Sequence, residues 1–237
     1  MLSLDKISII RDQGLVIDQL SLDIPSRKTT VIIGQAACGK TTLLHVIAGL
    51  LPPEKGAIDT DLSMKEVGLL LQNFQLFPWR TVEENILLGM HRSFIALDKK
   101  SNRVKRLANN LGISDLLDLY PKALTTSQVQ RVAIAQVLSK EPKLLLMDEP
   151  TSQLDAFTSE KIQTLLISLH TLYDLTSVIV THSIEEALIL GHQIAVMKDG
   201  RISQIIENPL YGLANIRQEV AFLDLQNKLR IALGVSK

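Results

Sequence analysis

Apolar and polar positions along this chain alternate between two spacings, one typical of buried strands and one typical of helices. Continuous apolar runs that predict strands buried on both faces occur at residues 29–33, 143–147 and 177–180. Helical spacing follows them at residues 41–48, 159–170 and 184–190. Because strands alternate with helices, the pattern predicts an α/β fold on a parallel core sheet that is covered on both faces.

The N-terminal third adds a second kind of strand pattern. Short runs at residues 7–10 and 15–24 flank the turn residues Asp12, Gln13 and Gly14, which predicts an N-terminal antiparallel β subdomain. Residues 56–61 and 67–71 show further strand patterns.

Two segments depart from the strand and helix alternation. From about residue 81 to 140 the pattern is mostly helical, which predicts an inserted helical subdomain with breaks at Gly112, Pro121 and residues 125–127. Residues from about 212 to 237 predict a C-terminal helical tail. Its docking onto the domain is predicted through Val220, Leu223 and Leu229.

Composition limits the classes of function. The 237 residues, 46% of them hydrophobic, fit a single domain over residues 1–237. Basic and acidic residues number 25 each, and this balance argues against a nucleic-acid partner. The single Cys38 allows no internal disulfide, and the first residues lack the pattern of a secretion signal. No apolar run approaches the roughly 18 residues that cross a bilayer. We therefore expect a cytosolic chain that reaches a membrane only through a partner.

The segment Gly34–Thr41 matches the phosphate-loop motif G-x-x-x-x-G-K-[ST] and lies between a predicted strand and a predicted helix. Glycines let the backbone fold around phosphate oxygens, and the helix N-terminus attracts the anion. We expect Lys40 to reach the outer phosphates and the Thr41 hydroxyl to ligate Mg²⁺. A glycine turn that only caps a helix is the alternative, and Cys38 is a small packing group or a thiol sensor. The predicted nucleotide-binding residues here are Gly34, Gln35, Ala36, Ala37, Cys38, Gly39, Lys40, Thr41 and Thr42.

Two further strand ends carry candidate catalytic residues. Asp148 and Glu149 end a buried strand, and phosphoryl transfer needs both a carboxylate for the metal and a group that orients water. We assign Asp148 to Mg²⁺ and Glu149 to the general base; a solvated turn is the alternative. His182 follows the next strand and precedes a capping box that starts at Ser183, so it is a candidate for contact with the terminal phosphate or the water. A polar surface histidine is the alternative.

The order of phosphate loop, Gln72, Asp148-Glu149, Ser152-Gln153-Leu154-Asp155 and His182 resembles the ATPase subunit of ABC transporters. The resemblance implies a P-loop NTPase fold in which Gln72 contacts Mg²⁺ and water, Asp155 ends the D-loop and His182 is the switch histidine. Residues 76–86 are similar to importer subunits of the nitrate, sulfonate and taurine group.

By this resemblance, the chain hydrolyses ATP to drive solute uptake through a separate integral membrane permease. Its expected partners are the permease, an extracytoplasmic solute-binding protein and a second ATPase subunit, identical or not. Its expected location is peripheral, on the cytoplasmic side of the cell membrane.

The chain departs from the family at two places. The signature Leu-Ser-Gly-Gly-Gln, which contacts the partner subunit's ATP, is replaced by Leu124 followed by Thr125, Thr126, Ser127 and Gln128. We expect Thr126 and Ser127 to cap the following helix, and the missing glycines to slow hydrolysis. In place of an N-terminal aromatic, Arg11 is the candidate for stacking on adenine, with a solvated Arg11 as the alternative.

Three other functions stay open beside the importer ATPase. The altered signature suits a regulatory or low-turnover ABC subunit that needs a second, intact ATPase partner. A non-transport relative in DNA repair or translation is disfavoured because the chain lacks room for a coiled coil or a second ATPase half. A GTPase or small-molecule kinase is disfavoured because the sequence has no base-reading Asn-Lys-x-Asp motif and no lid segment rich in arginine.

Overall fold

A computed structural model describes residues 2–11, 14–90, 97–213 and 215–234. The turn predicted at Asp12 and Gln13, residues 91–96 of the predicted helical subdomain, and residues 214 and 235–237 of the predicted tail lie outside this part of the chain.

The N-terminal sheet has three antiparallel strands in the order β2-β1-β4: β1 (Leu2–Arg11), β2 (Gly14–Ile24) and β4 (Lys55–Thr60). Its inner face is largely apolar, with Leu4, Ile7, Ile9 and Ile17 almost completely buried. The predicted antiparallel arrangement is thus present, and the strand pattern at residues 56–61 corresponds to its third strand, β4.

The core sheet consists of the strands β3 (Thr29–Gly34), β5 (Val67–Leu70), β6 (Leu144–Asp148), β7 (Thr176–Thr181), β8 (Gln193–Lys198) and β9 (Arg201–Glu207). Their order in the sheet is β5-β6-β7-β3-β8-β9, and the first five run parallel. The last strand pairs antiparallel with β8. Every residue of β3, β6 and the first five of β8 is buried, because helices or the N-terminal sheet cover both faces.

Seven α-helices occur in the described part of the chain. They are α1 (Lys40–Ile47), α2 (Val82–Gly89), α3 (Leu97–Leu111), α4 (Thr126–Leu138), α5 (Ala156–Leu172), α6 (Ile184–Leu190) and α7 (Val220–Leu233). Helix α4 packs against α2 and α3, which matches the helical pattern of residues 81–140. The limits of a separate helical subdomain, like the single-domain reading of the whole chain, stay predictions.

The core sheet separates two hydrophobic cores. Ile32 faces the core that contains α1 and the N-terminal sheet, whereas Val31 and Ile33 face the core that contains α4, α5 and α6. Alternate residues of one strand therefore serve different layers. Because β3, β6 and β7 run parallel, their carboxyl ends lie at one edge of the sheet.

Helix α7 docks on α6 and β8, but not through the predicted face. Leu229 is buried as expected, whereas Val220 and Leu223 are 77% and 58% exposed, so this part of the prediction is wrong. The buried side chains are Phe222, Leu229 and Leu233, which are seven and four residues apart and share one helix face.

Within the described residues, no helix combines the length and the apolar character that crossing a membrane requires.

Candidate active site

The phosphate loop connects the end of β3 to the start of α1. Gly39 has φ 104°, a left-handed conformation that side chains rarely adopt. A Cβ on Gly34 would lie 2.4 Å from the Met197 carbonyl oxygen and 2.6 Å from Cys38 Sγ. Both glycines are therefore required by the backbone path. Burial raises the pKa of the Cys38 thiol, which favours its interpretation as a small packing group over a reactive thiol.

Lys40 is held inside this loop. Its Nζ donates to the carbonyl oxygens of Gly34 at 2.9 Å and Gln35 at 2.8 Å, and the residue is only 7% exposed. These contacts place a fixed positive charge at the N-terminus of α1, where an anion would also meet the helix dipole. Ala36 and Ala37 line the outside of the loop and are exposed, as is Thr41, while Thr42 is half-buried.

Asp148 ends β6 beside the phosphate loop. The Thr41 hydroxyl donates to Asp148 Oδ1 at 3.3 Å, which joins two of the three predicted metal ligands. Burial raises the pKa of Asp148, and the hydrogen bond from Thr41 opposes that shift. A carboxylate and a hydroxyl beside a phosphate loop are oxygen ligands of the kind that Mg²⁺ prefers, so the residues fit this ion.

The Glu149 carboxylate contacts two other side chains that the sequence predicts to be in the site. His182 Nδ1 lies 2.9 Å from Glu149 Oε1, and Gln72 Nε2 donates to Glu149 Oε2 at 3.4 Å. The Glu149 amide donates to the Val180 carbonyl at 2.9 Å, which attaches the turn after β6 to the neighbouring strand β7. Residues that are distant in sequence thus meet on one carboxylate, while their catalytic roles stay predictions.

Ser152 supports this group from the next turn. Its hydroxyl accepts from Gln72 Nε2 at 3.2 Å and donates to the Glu149 carbonyl at 3.0 Å. Asp155 lies farther along and caps α5, accepting from the Thr158 amide at 3.0 Å and the Thr158 hydroxyl at 2.7 Å. These hydrogen bonds lower the pKa of Asp155. Its side chain is engaged in the helix cap, and its D-loop role stays a prediction.

The signature segment, residues 124–128, leads into α4, but the N-cap of this helix is not one of the two predicted residues, Thr126 and Ser127. Thr125 is the N-cap, with extended backbone angles, and it forms a reciprocal capping box with Gln128. Thr126 is already the first helical residue and Ser127 the second, so the prediction that these two cap the helix is wrong. Both Thr125 and Thr126 are exposed.

Arg11 ends β1 opposite Gly14 and is exposed, and its stacking on a base stays a prediction. Sequence reasoning missed two buried polar residues near the site. Gln130 is fully buried and donates to the Pro150 carbonyl, and Glu186 is 3% exposed. Gln130 has helical spacing to the apolar residues Ala133, Ile134 and Val137, and this position on the apolar face of α4 was the available signal. Glu186 occupies the third position of the sequence pattern that predicts a capping box at Ser183, and its carboxylate instead accepts hydrogen bonds from Thr151 and Thr181.

Comparison with known proteins agrees with this geometry. The ABC transporter family model matches residues 17–152. The chain is 36% identical to the aliphatic sulfonates import ATP-binding protein SsuB 2 of Agrobacterium fabrum, over 90% of this chain and 82% of the relative. It is 38% identical to the taurine import ATP-binding protein TauB of Rhizobium johnstonii, over 78% of this chain and 74% of the relative.

Solved structures of ABC transporter cassettes have the same fold as this chain. A bacterial ABC transporter cassette, determined as a dimer, superposes with a TM-score of 0.77 at 28% identity, over 87% of this chain and 98% of its own. The α/β fold with a phosphate loop predicted from the sequence is confirmed. The chain therefore belongs to the ABC transporter family, as an ATP-binding cassette.

Proposed function

We propose that this chain is the ATP-hydrolysing subunit of an importer, which drives solute uptake through separate permease subunits. The observation that carries the proposal is the convergence of Lys40, the Thr41–Asp148 pair and the Glu149–His182 pair at one edge of the core sheet. Relatives named as sulfonate and taurine import proteins support the direction of transport and make sulfonates the first solutes to test.

The proposed mechanism assigns one task to each group. The loop amides and Lys40 bind the phosphates of ATP, while Asp148, Thr41 and Gln72 would hold Mg²⁺, which would supply charge neutralisation at the phosphate oxygens. Glu149 accepts the proton of the attacking water. His182, in contact with Glu149, orients that carboxylate and reaches toward the terminal phosphate. This arrangement lets hydrolysis proceed mainly by positioning and electrostatic stabilisation.

A second ATPase chain completes the proposed site. In the family arrangement the signature of one subunit approaches the ATP of the other, and glycine permits close backbone contact there. Thr126 places a β-branched side chain at this exposed position, which obstructs that approach. A homodimer would carry the obstruction in both sites and a heterodimer with an intact partner in only one. We therefore propose slow hydrolysis by the homodimer.

The proposed permease contact is a groove of about 230 Å³ beside the segment that follows Gln72. Phe74 and Phe77 line it on one side, and Gly89 and Lys140 on the helical side. Movement of a permease segment in this groove would displace Gln72. Because Gln72 donates a hydrogen bond to Glu149, the displacement would also change the position of the Glu149 carboxylate. We also propose a peripheral location on the cytoplasmic side of the membrane, and an extracytoplasmic protein that delivers the solute.

The signature provides the test of this proposal. Phosphate release should be slow for the purified wild type, and Thr126→Gly/Ser127→Gly should raise turnover several-fold toward the typical enzyme value of about 10 s⁻¹. Lys122→Gly/Ala123→Gly, just before the signature, controls for added flexibility and should give no gain. A wild type that already reaches this rate, with no gain from the glycines, would contradict the slow-homodimer proposal; absence of ATP hydrolysis in every variant would contradict the ATPase proposal itself.

A further inference from the structure

Glu186 is a buried carboxylate that the proposed mechanism does not use. It lies in α6 with 3% exposure, and burial raises its pKa. Its Oε1 accepts from the Thr151 hydroxyl at 2.5 Å and its Oε2 accepts from the Thr181 hydroxyl at 2.5 Å. Among the described residues no Lys or Arg forms an ion pair with it. A buried carboxyl group without a cation is costly, so an apolar residue would serve a purely structural role better.

The two hydroxyl partners occupy informative positions. Thr151 lies two residues after Glu149, in the turn that follows β6, and Thr181 directly precedes His182 at the end of β7. The Thr181 hydroxyl also accepts from the Ser183 amide at 3.0 Å. Glu186 thus joins the backbone segment that carries the proposed base to the segment that carries the proposed switch histidine.

We propose that Glu186 is a positioning residue for hydrolysis. Through Thr151 and Thr181, it holds Glu149 and His182 at the 2.9 Å separation that their cooperation requires. This inference rests on the proposed function, because it assigns Glu186 a part in the same site. Glu186 itself touches neither the substrate-binding loop nor the reacting atoms, so its effect is indirect.

Steady-state kinetics separate positioning from binding. Because displacement of a catalytic group by about 1 Å can cost about 100-fold in rate, Glu186→Ala should lower kcat by about 10- to 100-fold. The KM for ATP should change by less than about twofold, since Lys40 and the phosphate loop are untouched. Glu186→Gln should lie between wild type and Glu186→Ala, because the amide keeps the shape and one acceptor. Glu185→Ala, one residue away on the exposed face of α6, is the matched control and should keep the wild-type rate.

Two variants guard against a simple folding defect. Thr181→Val removes one hydroxyl at nearly constant shape and leaves a buried Glu186 oxygen without its donor, so the melting temperature should fall by a few degrees. Measured at a temperature where the variant is fully folded, it should still reproduce part of the kcat loss. In a His182→Ala background, Glu186→Ala should cost less than in the wild type, because one of the two groups that it positions is already gone. An equal fold-loss in both backgrounds would mean that Glu186 does not act on the Glu149–His182 contact, and would overturn the proposal.

A spectroscopic readout keeps this inference separate from the proposed function. The His182 imidazole resonance should move in Glu186→Ala in the same direction as in Glu149→Gln, because both changes disturb the Glu149–His182 contact. A wild-type resonance position in Glu186→Ala would contradict the inference even if no variant hydrolyses ATP. An active wild type with an unchanged kcat in Glu186→Ala would contradict this inference alone.

Discussion

The two ends of the core sheet both carry histidines, yet they use them in opposite ways. At the carboxyl ends of the strands, the His182 side chain is 62% exposed and contacts the Glu149 carboxylate. At the amino ends, His170 and His192 pack with Tyr211 in a partly buried cluster beside Thr29. The same residue type therefore serves a ligand-facing edge at one end and core packing at the other.

The amino-end cluster is organised by ring contacts and one backbone hydrogen bond. The rings of His192 and Tyr211 stack with centroids 3.5 Å apart, and the Thr29 amide donates to His192 Nδ1 at 2.9 Å. Burial lowers the pKa of His192 to about 4, with smaller contributions from His170 and Lys28. Burial also lowers the pKa of His170. Both imidazoles are consequently neutral near pH 7.

This contrast predicts a separation of effects. Substitutions at the carboxyl end should lower nucleotide binding or turnover with little loss of stability, because the side chains are positioned for a ligand rather than for packing. Substitutions at the amino end should lower stability and spare turnover. Any residue that affects both properties strongly would weaken the distinction.

The largest expected effect is at Glu149. Glu149→Gln should lower kcat by about 10²- to 10⁴-fold, because the amide cannot accept the proton of the attacking water. ATP binding and the melting temperature should stay near wild type, measured by titration calorimetry and thermal unfolding. Glu185→Gln provides an exposed carboxylate control and should keep its activity. If Glu149→Gln changes turnover little, the regulatory reading of this chain gains over the ATPase reading.

The next effect is at Lys40. Lys40→Ala removes an ammonium that is placed for charge-assisted hydrogen bonds, each worth about 1.5–3 kcal/mol, so ATP affinity should fall by about 10- to 150-fold. Calorimetric titration of ATP measures the loss. Lys65→Ala, an exposed lysine outside the loop, should bind ATP as the wild type does. If Lys40→Ala binds ATP as tightly as the wild type, the proposal that nucleotide binds at the carboxyl ends of the core strands is contradicted.

The sequence predicts which residues meet at the carboxyl ends of the core strands, because each of them is marked by a local strand pattern. Gly34 and Asp148 end buried strands and His182 follows one, and parallel strands bring such ends to one edge. The phosphate motif then predicts which edge binds the ligand.

Features that depend on tertiary packing were not accessible in the same way. Helix α7 offers several apolar stripes, and only its contact with α6 and β8 selects Phe222 over Leu223. Glu186 and Thr151 are 35 residues apart in the sequence, so no local spacing predicts the hydrogen bond between them. The N-cap at Thr125 could have been found from Gln128 three residues on, because that spacing defines a capping box.

The smallest expected effect is at His192, and it tests the amino end directly. Between the unfolded pKa near 6.5 and the folded pKa of about 4, the unfolded chain binds a proton that the folded chain does not, so stability falls as pH drops through this range. Above pH 7 the contribution of His192 to the free energy of unfolding is complete and constant.

The His192 ring is only partly buried, and solvent screening reduces the effect of its titration. We therefore expect the wild type to lose about 2–4 °C more in melting temperature between pH 7.5 and 5 than His192→Gln does. The glutamine amide oxygen can still accept from Thr29 and does not titrate, and the variant should keep wild-type turnover at pH 7.5. Parallel melting curves for the two proteins would mean that His192 is not held neutral by the fold, and a loss of turnover in His192→Gln would show that the two ends of the sheet are coupled.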